Sequence, residues 1–372
     1  MKSILIISPQ PWDFIQVSKH HYARAAADGG HQVFFLEPPD EAVKGVTLTS
    51  TEHPQIVRVR YPEPIYARVR FHARPLYAWF ETFLVEKIRR SIRNRLDLVW
   101  SFEPNRFHQL RKFGGKKVIY HPVDSLGEAS QLLPALGADQ VYSVSKSILA
   151  PFLGKPTPAA LLAHGVARPF AALAQHGTDW IRRPGALKVG FAGNLSRPIV
   201  ARSVLLALME NHPDVEFHFW GQSEVPVDAD AGAFDFVKQL KSFPNCRLRG
   251  IQNTSALAAD FADIDAFLLA YQPDPKEKDF DFSNSHKILE YLATGRVILS
   301  SPLSEYENQE PNFMLFAEGN TQNAFESQFE LLLKNLNQLN GVELAKVRRQ
   351  CALQNRYETH WAMIERNLDA DA

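Results

Sequence analysis

Ser283-Asn284-Ser285-His286-Lys287-Ile288-Leu289-Glu290-Tyr291-Leu292-Ala293-Thr294-Gly295 reads as a loop running into a short helix that stops at a glycine. Ser283, Asn284 and Ser285 are all good N-cap residues. Ile288, Leu289, Leu292 and Ala293 form the stripe of a half-buried helix, and Gly295 suits its C′ position. Lys287 and Glu290 are three residues apart and project from one side. A helix N-terminus offers free amides and a positive dipole to a phosphate. A lysine in the first turn adds a point charge. A carboxylate one turn further accepts two hydrogen bonds from a ribose diol. The order amide, lysine, carboxylate suits a nucleoside diphosphate. The same residues equally describe a capped surface helix carrying an i, i+3 ion pair.

Working outward, residues 266–269 and 297–299 flank this helix as short apolar strands. Others are expected at 187–192, 215–220 and 246–249, with a helix to about residue 211 and another over 254–262 capped by Asn253 or Thr254. The first half shows the same alternation. Strands are expected at 3–8, 31–36, 98–102, 117–120 and 140–144, with a helix at 17–28. Continuous apolar strands separated by helices mean parallel sheets covered on both faces, an α/β class. Residues 168–185 are richer in Ala, Gly and Pro, which places a boundary between two Rossmann-like domains, 1–168 and 185–350. Residues 351–372 read as a C-terminal helix returning to the first domain.

Composition narrows the partners. Lysine plus arginine and aspartate plus glutamate both number 41, so no net field selects a nucleic acid. The two cysteines, Cys246 and Cys351, lack metal-ligand spacing and do not make a disulfide framework. His20 and His21 are neighbours on a helix and point in different directions, so they do not form a metal pair. No metal and no cofactor are expected. The first eight residues read as a strand rather than a signal peptide, and no run of about 18 apolar residues occurs. A reducing cytoplasm fits these features.

In α/β sheets ligands sit outside the carboxyl ends of the strands. Residues 8–14, 101–104, 120–125, 192–197, 252–253, 271 and 283–290 all follow expected strand ends. With two domains facing each other, these polar segments would share one cleft.

Taken together, the segments resemble a GT-B glycosyltransferase. They are most similar to the retaining family of glycogen-synthase-like and mannosyl-transferring enzymes and to bacterial enzymes of surface-polysaccharide synthesis. Trp12-Asp13, Ser18-Lys19-His20-His21-Tyr22 and Gly29-Gly30-His31-Gln32-Val33 resemble the start of an acceptor domain. Tyr120-His121-Pro122-Val123-Asp124 resembles its Tyr-x-x-x-Asp segment. Ser143-Val144-Ser145-Lys146 and His164-Gly165-Val166 resemble the pieces before the hinge. Gly190-Phe191-Ala192-Gly193-Asn194-Leu195 resembles the opening of a donor domain. Gly250-Ile251-Gln252 and the run from Lys287 to Ile298 complete the series.

The resemblance implies sugar transfer, without a bound metal, from a nucleotide-sugar donor to a glycan or lipid-diphosphate-linked acceptor. It assigns Gly193, Asn194, Arg197, Asn284, Ser285, His286 and Lys287 to the donor phosphates and Glu290 to the ribose diol. The base would lie near Arg249, Gly250 and Ile251. Asp124 is the catalytic candidate, as base or as orienter of the acceptor hydroxyl. Trp12, Asp13 and His21 are acceptor candidates. Departures accompany the match. Phe282 stands where the family places a first acidic residue, and His164 and Ala167 replace the hinge Asn and Asp. Arg197 or Arg202 would replace a lysine. These departures keep two alternatives open, a nucleotide-sugar 2-epimerase-like enzyme and a catalytically silent nucleotide-sugar-binding protein.

Residues 58–95 hold ten Lys/Arg against three Glu, with seven aromatics. Trp79, Phe80, Phe83, Leu84, Ile88 and Ile92 recur at helical spacing, ahead of Arg89, Arg90, Arg93 and Arg95. A basic amphipathic helix suits an anionic membrane surface, where lipid-diphosphate acceptors reside. That would make the protein peripheral on the inner face of the plasma membrane. The other reading is a core-facing helix with a solvated basic face.

Overall fold

The computed structural model describes residues 1–63, 74–124, 126–127, 129–222, 231–272 and 285–370. Phe282, Ser283, Asn284 and residues 64–73 of the basic stretch lie outside the described residues. The chain divides into two compact units, Met1–Ala163 with Tyr357–Ala372, and His164–Arg356.

The first unit runs β1 (Ser3–Ile7), α1 (Ser18–Asp28), β2 (Gln32–Leu36), β3 (Thr47–Ser50), β4 (Ile56–Arg60), α2 (Arg74–Ile92), β5 (Leu98–Ser101), β6 (Lys117–Tyr120), β7 (Gln140–Ser143), α3 (Lys146–Leu149) and β8 (Ala159–Leu161). Its sheet order is β3-β4-β2-β1-β5-β6-β7-β8. Every neighbouring pair is parallel except β3 and β4. Ile4–Ile7, Val33–Leu36 and Leu98–Ser101 are buried throughout, as strands covered on both faces must be. β3, Thr-Leu-Thr-Ser, is exposed along its length and forms a polar sheet edge.

The second unit runs α4 (Arg168–His176), β9 (Leu187–Ala192), α5 (Arg202–Asn211), β10 (Val215–Trp220), α6 (Ala231–Ser242), β11 (Cys246–Gly250), α7 (Thr254–Phe261), β12 (Ala266–Leu269), α8 (Lys287–Thr294), β13 (Val297–Ser300), β14 (Leu315–Phe316), α9 (Gln322–Leu339) and α10 (Val342–Gln354). Its sheet is parallel in the order β11-β10-β9-β12-β13-β14. The final helix, α11 (Tyr357–Ala370), belongs to the first unit and packs on α1. Tyr357 stacks on His21 with ring centroids 4.9 Å apart, and Tyr22 Oη lies 3.1 Å from His360 Nδ1.

α8 is anchored at both ends of its buried face. Phe267 of β12 stacks on Tyr291 at 4.3 Å, and the Tyr291 hydroxyl accepts the Ala192 amide at 2.6 Å. A Cβ on Gly190 would meet the Phe267 ring at 2.9 Å, so β9 carries glycine where this stack crosses it. The helix ends at Gly295, whose φ of 78° is left-handed, as a C′ residue requires. Arg348 of α10, fully buried, donates to the carbonyls of Gly295, Phe313 and Leu339 at 3.0, 2.7 and 2.7 Å. Burial lowers its pKa to about 9. No described helix is long and apolar enough to cross a membrane.

Candidate active site

Each sheet has a switch point, where successive strands leave in opposite directions. It lies between β1 and β5 in the first unit and between β9 and β12 in the second. Crevices form there, outside the strand carboxyl ends.

In the second unit the ends of β9, β10 and β11 are laced together. The Gly193 amide donates to Trp220 O and the Gly221 amide to Gly250 O, both at 2.9 Å. Gly221 has φ +132°, and a Cβ there would fall 1.9 Å from Gly193 O. Only glycine permits this approach of two backbones. Asn194 beyond it is exposed, and its Oδ1 accepts from Ser196 N and Oγ at 3.0 and 2.7 Å. The turn thus presents Arg197, which is exposed.

On the other side of the switch point, β12 leads to Tyr271, which is buried and hydrogen-bonded to the Ser285 side chain. Burial raises the Tyr271 pKa, so the phenol stays protonated. This hydrogen bond joins the β12 end to the segment entering α8. The N-cap of α8 is His286, in a helical conformation with no side-chain hydrogen bond to the first turn. The cap expected from Ser285 is therefore corrected: Tyr271 engages its side chain, and its carbonyl accepts from Ile288 N at 3.3 Å. Lys287 Nζ lies 3.0 Å from Glu290 Oε2, and His286 Nε2 lies 3.9 Å from Glu290 Oε1. Glu290 is only 9% exposed, so it faces the Lys287 ammonium with little water to screen the pair. His164 brings its ring 5.9 Å from that of His286, edge to face. Tyr271 is expected at a strand end beside the α8 segment, but its bond to Ser285 is not, and His164 carries no sequence signal linking it to α8.

Arg249 and Ile251 are exposed, Ile251 by 58%, at the end of β11. The Arg249 guanidinium lies 3.1 Å from His218 Nδ1, and His218 Nε2 lies 3.1 Å from Glu216. Gly250 has φ +69° and open space around it.

The first unit treats its candidates differently. Trp12 is buried, donating from its indole to Glu52 at 3.1 Å and from its amide to Glu37 at 2.6 Å. These bonds and the edge-on contact with Phe35 give it a packing role. Asp13 is exposed and pairs with Arg58 at 2.7 Å. His21 is covered by Tyr357, and burial lowers its pKa to about 3. Asp124 is exposed just beyond the end of β6. Glu103, 1% exposed beyond β5, pairs with Arg106 at 2.8 Å and accepts the amides of Asn105 and Arg106. Among the described residues no group of three or more His, Cys, Asp or Glu is placed to hold a metal.

No protein-family model matches the sequence, and no curated protein matches it. Solved structures do match. A sucrose-phosphate synthase from Thermosynechococcus elongatus superposes with a TM-score of 0.70 at 13% identity, over 100% of both chains. The E. coli structure titled trehalose-6-phosphate bound with UDP-2-fluoro glucose matches at 0.66 and 11% identity, over 98% of each chain. Anabaena HepE, in complex with UDP and glucose, matches at 0.64 and 14% identity, over 99% of this chain and 100% of its own. At these identities the likeness shows the fold, two α/β units of the GT-B kind.

Proposed function

We propose that this chain is a metal-independent glycosyltransferase whose second unit holds a nucleotide-sugar donor. The observation that carries this reading is the part-buried Lys287–Glu290 pair at the head of α8, beside a switch point. The fold likeness to structures titled with UDP, glucose and UDP-2-fluoro glucose supports it.

In the reaction the bond between the sugar anomeric carbon and the diphosphate oxygen breaks. An acceptor hydroxyl oxygen forms the new bond, and its proton leaves to a base or to the departing phosphate. Lys287, Arg197 and the α8 amides offset the charge that gathers on the diphosphate. Glu290 accepts from the ribose diol, the backbone at Gly250 and Ile251 meets the base, and Asp124 orients or deprotonates the acceptor hydroxyl. The free enzyme parks Lys287 on Glu290; the donor takes both partners over. Incubation with UDP-, GDP- and dTDP-sugars tests the reading. Slow release of free sugar from one donor is expected without acceptor. Tight binding with no turnover of any donor contradicts it.

The acceptor reading is a glycan or a lipid-diphosphate-linked sugar in bacterial surface-polysaccharide synthesis, within the retaining glycogen-synthase-like and mannosyltransferase group. α2 supports a site of action at the inner membrane face. It splits the apolar stripe in two. Tyr77, Val85, Ile88 and Ile92 are buried, whereas Leu76, Trp79 and Phe83 are 48, 57 and 57% exposed. Trp79 and Phe83 touch edge to face at 4.6 Å. Lys87 and Arg90 continue the exposed stripe, and an open groove of 1120 Å³ lies against Phe83, Lys87, Arg90 and Arg93. Glu86 engages Arg89 and Arg90. Lys87, Arg93 and Arg95 form no ion pair among the described residues and suit lipid phosphates. Flotation with phosphatidylglycerol vesicles is expected, falling with salt and with Trp79→Ser/Phe83→Ser. Equal recovery with neutral and anionic vesicles removes the membrane role.

A further inference from the structure

The turn that closes α8 gathers more positive charge than its surroundings neutralise. α8 ends at Gly295, and Arg296 follows it before β13 begins. The turn therefore lies at the amino end of the parallel sheet, away from the crevice outside the strand carboxyl ends. Arg348 and Arg349 of α10 both reach it. Arg348 donates through Nη1 to Gly295 O at 3.0 Å. A Cβ on Gly295 would fall 2.8 Å from Arg349 Nε and 3.2 Å from its Cζ, so the glycine also makes room for this guanidinium. Arg296 is 5% exposed and forms no ion pair among the described residues. Burial first, and then the charge of Arg349, lower its pKa to about 10. The acids nearby are engaged elsewhere. Asp265 is buried, and its carboxylate accepts from Trp180 Nε1 at 2.7 Å and from the Lys188 amide at 2.9 Å. Asp179 is exposed, 3.5 Å from Arg349. Donors are left over as well. Arg296 Nε and Nη1, Arg348 Nη2 and Arg349 Nε are buried and meet no acceptor among the described residues. Buried donors are normally satisfied, so a set of them on adjoining arginines points to an acceptor from outside the chain.

We propose that this turn is a binding site for inorganic phosphate, held by Arg296, Arg348 and Arg349. Guanidinium groups arriving from a loop and from a helix suit a tetrahedral oxyanion better than a planar carboxylate, and a dianion offsets the charge that the acids leave over. The site takes a small anion because its walls are closed. Arg348 is fully buried and the Arg349 side chain is 12% exposed. A phosphate ester would have to carry its organic substituent through that burial. The site does not depend on the glycosyltransferase reading. Lys287, assigned there to the donor, stands at the opposite end of α8 within the same unit.

Thermal unfolding of the full-length protein in phosphate and in chloride, at matched ionic strength, tests the site. At about 10 mM, phosphate is expected to raise the midpoint by about 2 °C or more, as mass action on a millimolar site implies. Arg296→Met should abolish the rise. In chloride it should unfold at or above the wild-type temperature, because it removes a buried cation without a counter-ion. A purely structural arginine would instead lower the midpoint in both salts, and that result overturns the site. Arg349→Gln is the second variant and should weaken phosphate binding about tenfold by calorimetry. Lys287→Ala should keep the rise, which separates this site from the candidate donor site. Equal rises in the wild type, Arg296→Met and Arg349→Gln, as general salting-out would give, also overturn the site. A rise from glycerol 3-phosphate as large as that from phosphate overturns its restriction to the inorganic anion.

Discussion

Lys287→Ala is expected to cut donor turnover by about 100-fold or more, the usual loss when one cation aimed at developing charge is removed from a site sheltered from water. The lysine sits in the first turn of α8, where, on the proposed reading, amides and amine address the same anion. Its side chain is 19% exposed and pairs with Glu290 at 3.0 Å. Among the described residues, the variant also leaves Glu290 with His286 as its remaining basic neighbour, at 3.9 Å. Some stability is therefore lost, and the rate must be compared at a temperature where circular dichroism shows both proteins folded. Lys287→Arg should recover part of the rate, because the charge returns with a different reach. Full activity in Lys287→Ala would reduce the pair to a helix-surface ion pair.

Arg348→Met is expected to cost about 3 kcal/mol or more, through three carbonyls, two of them buried, that lose the arginine donor. Those carbonyls close α8 at Gly295, precede β14 at Phe313 and end α9 at Leu339. The guanidinium thus ties the far end of the candidate donor helix to two other elements. Methionine fills much of the volume but satisfies none of the oxygens. The urea midpoint should fall with little change in slope. An unchanged midpoint would mean that water or relaxed backbone replaces the arginine at no cost.

Much of the fold was legible because its strands are continuous apolar runs. Ile4 to Ile7, Val33 to Leu36 and Ala266 to Leu269 admit few other readings. β3 was not legible, because Thr-Leu-Thr-Ser at an exposed edge carries no burial pattern. β14 is two residues long, too short to show one. On α2 the period was readable but not the facing: Trp79 and Phe83 belong to the same helical pattern as Ile88 and Ile92, yet only the latter turn inward. In the site, Lys287 and Glu290 were legible because they share one helix. For Tyr271 the strand-end position near them was legible but its hydrogen bond to Ser285 was not, nor was the approach of His164, since each reaches the head of α8 from a distant segment. Trp12 looked like a ligand-facing aromatic, and its indole instead meets Glu52 across 40 residues.

The central claim is that α8 recognises the ribose and diphosphate of a nucleotide. Calorimetric titration of the wild-type protein and Glu290→Gln with UDP, GDP, dTDP and CMP tests it most directly. One nucleotide should bind the wild type, and Glu290→Gln should weaken it by about 1–3 kcal/mol, roughly five- to 150-fold. Equal affinity in the two proteins, or no binding of any of the four to the wild type, would contradict the claim.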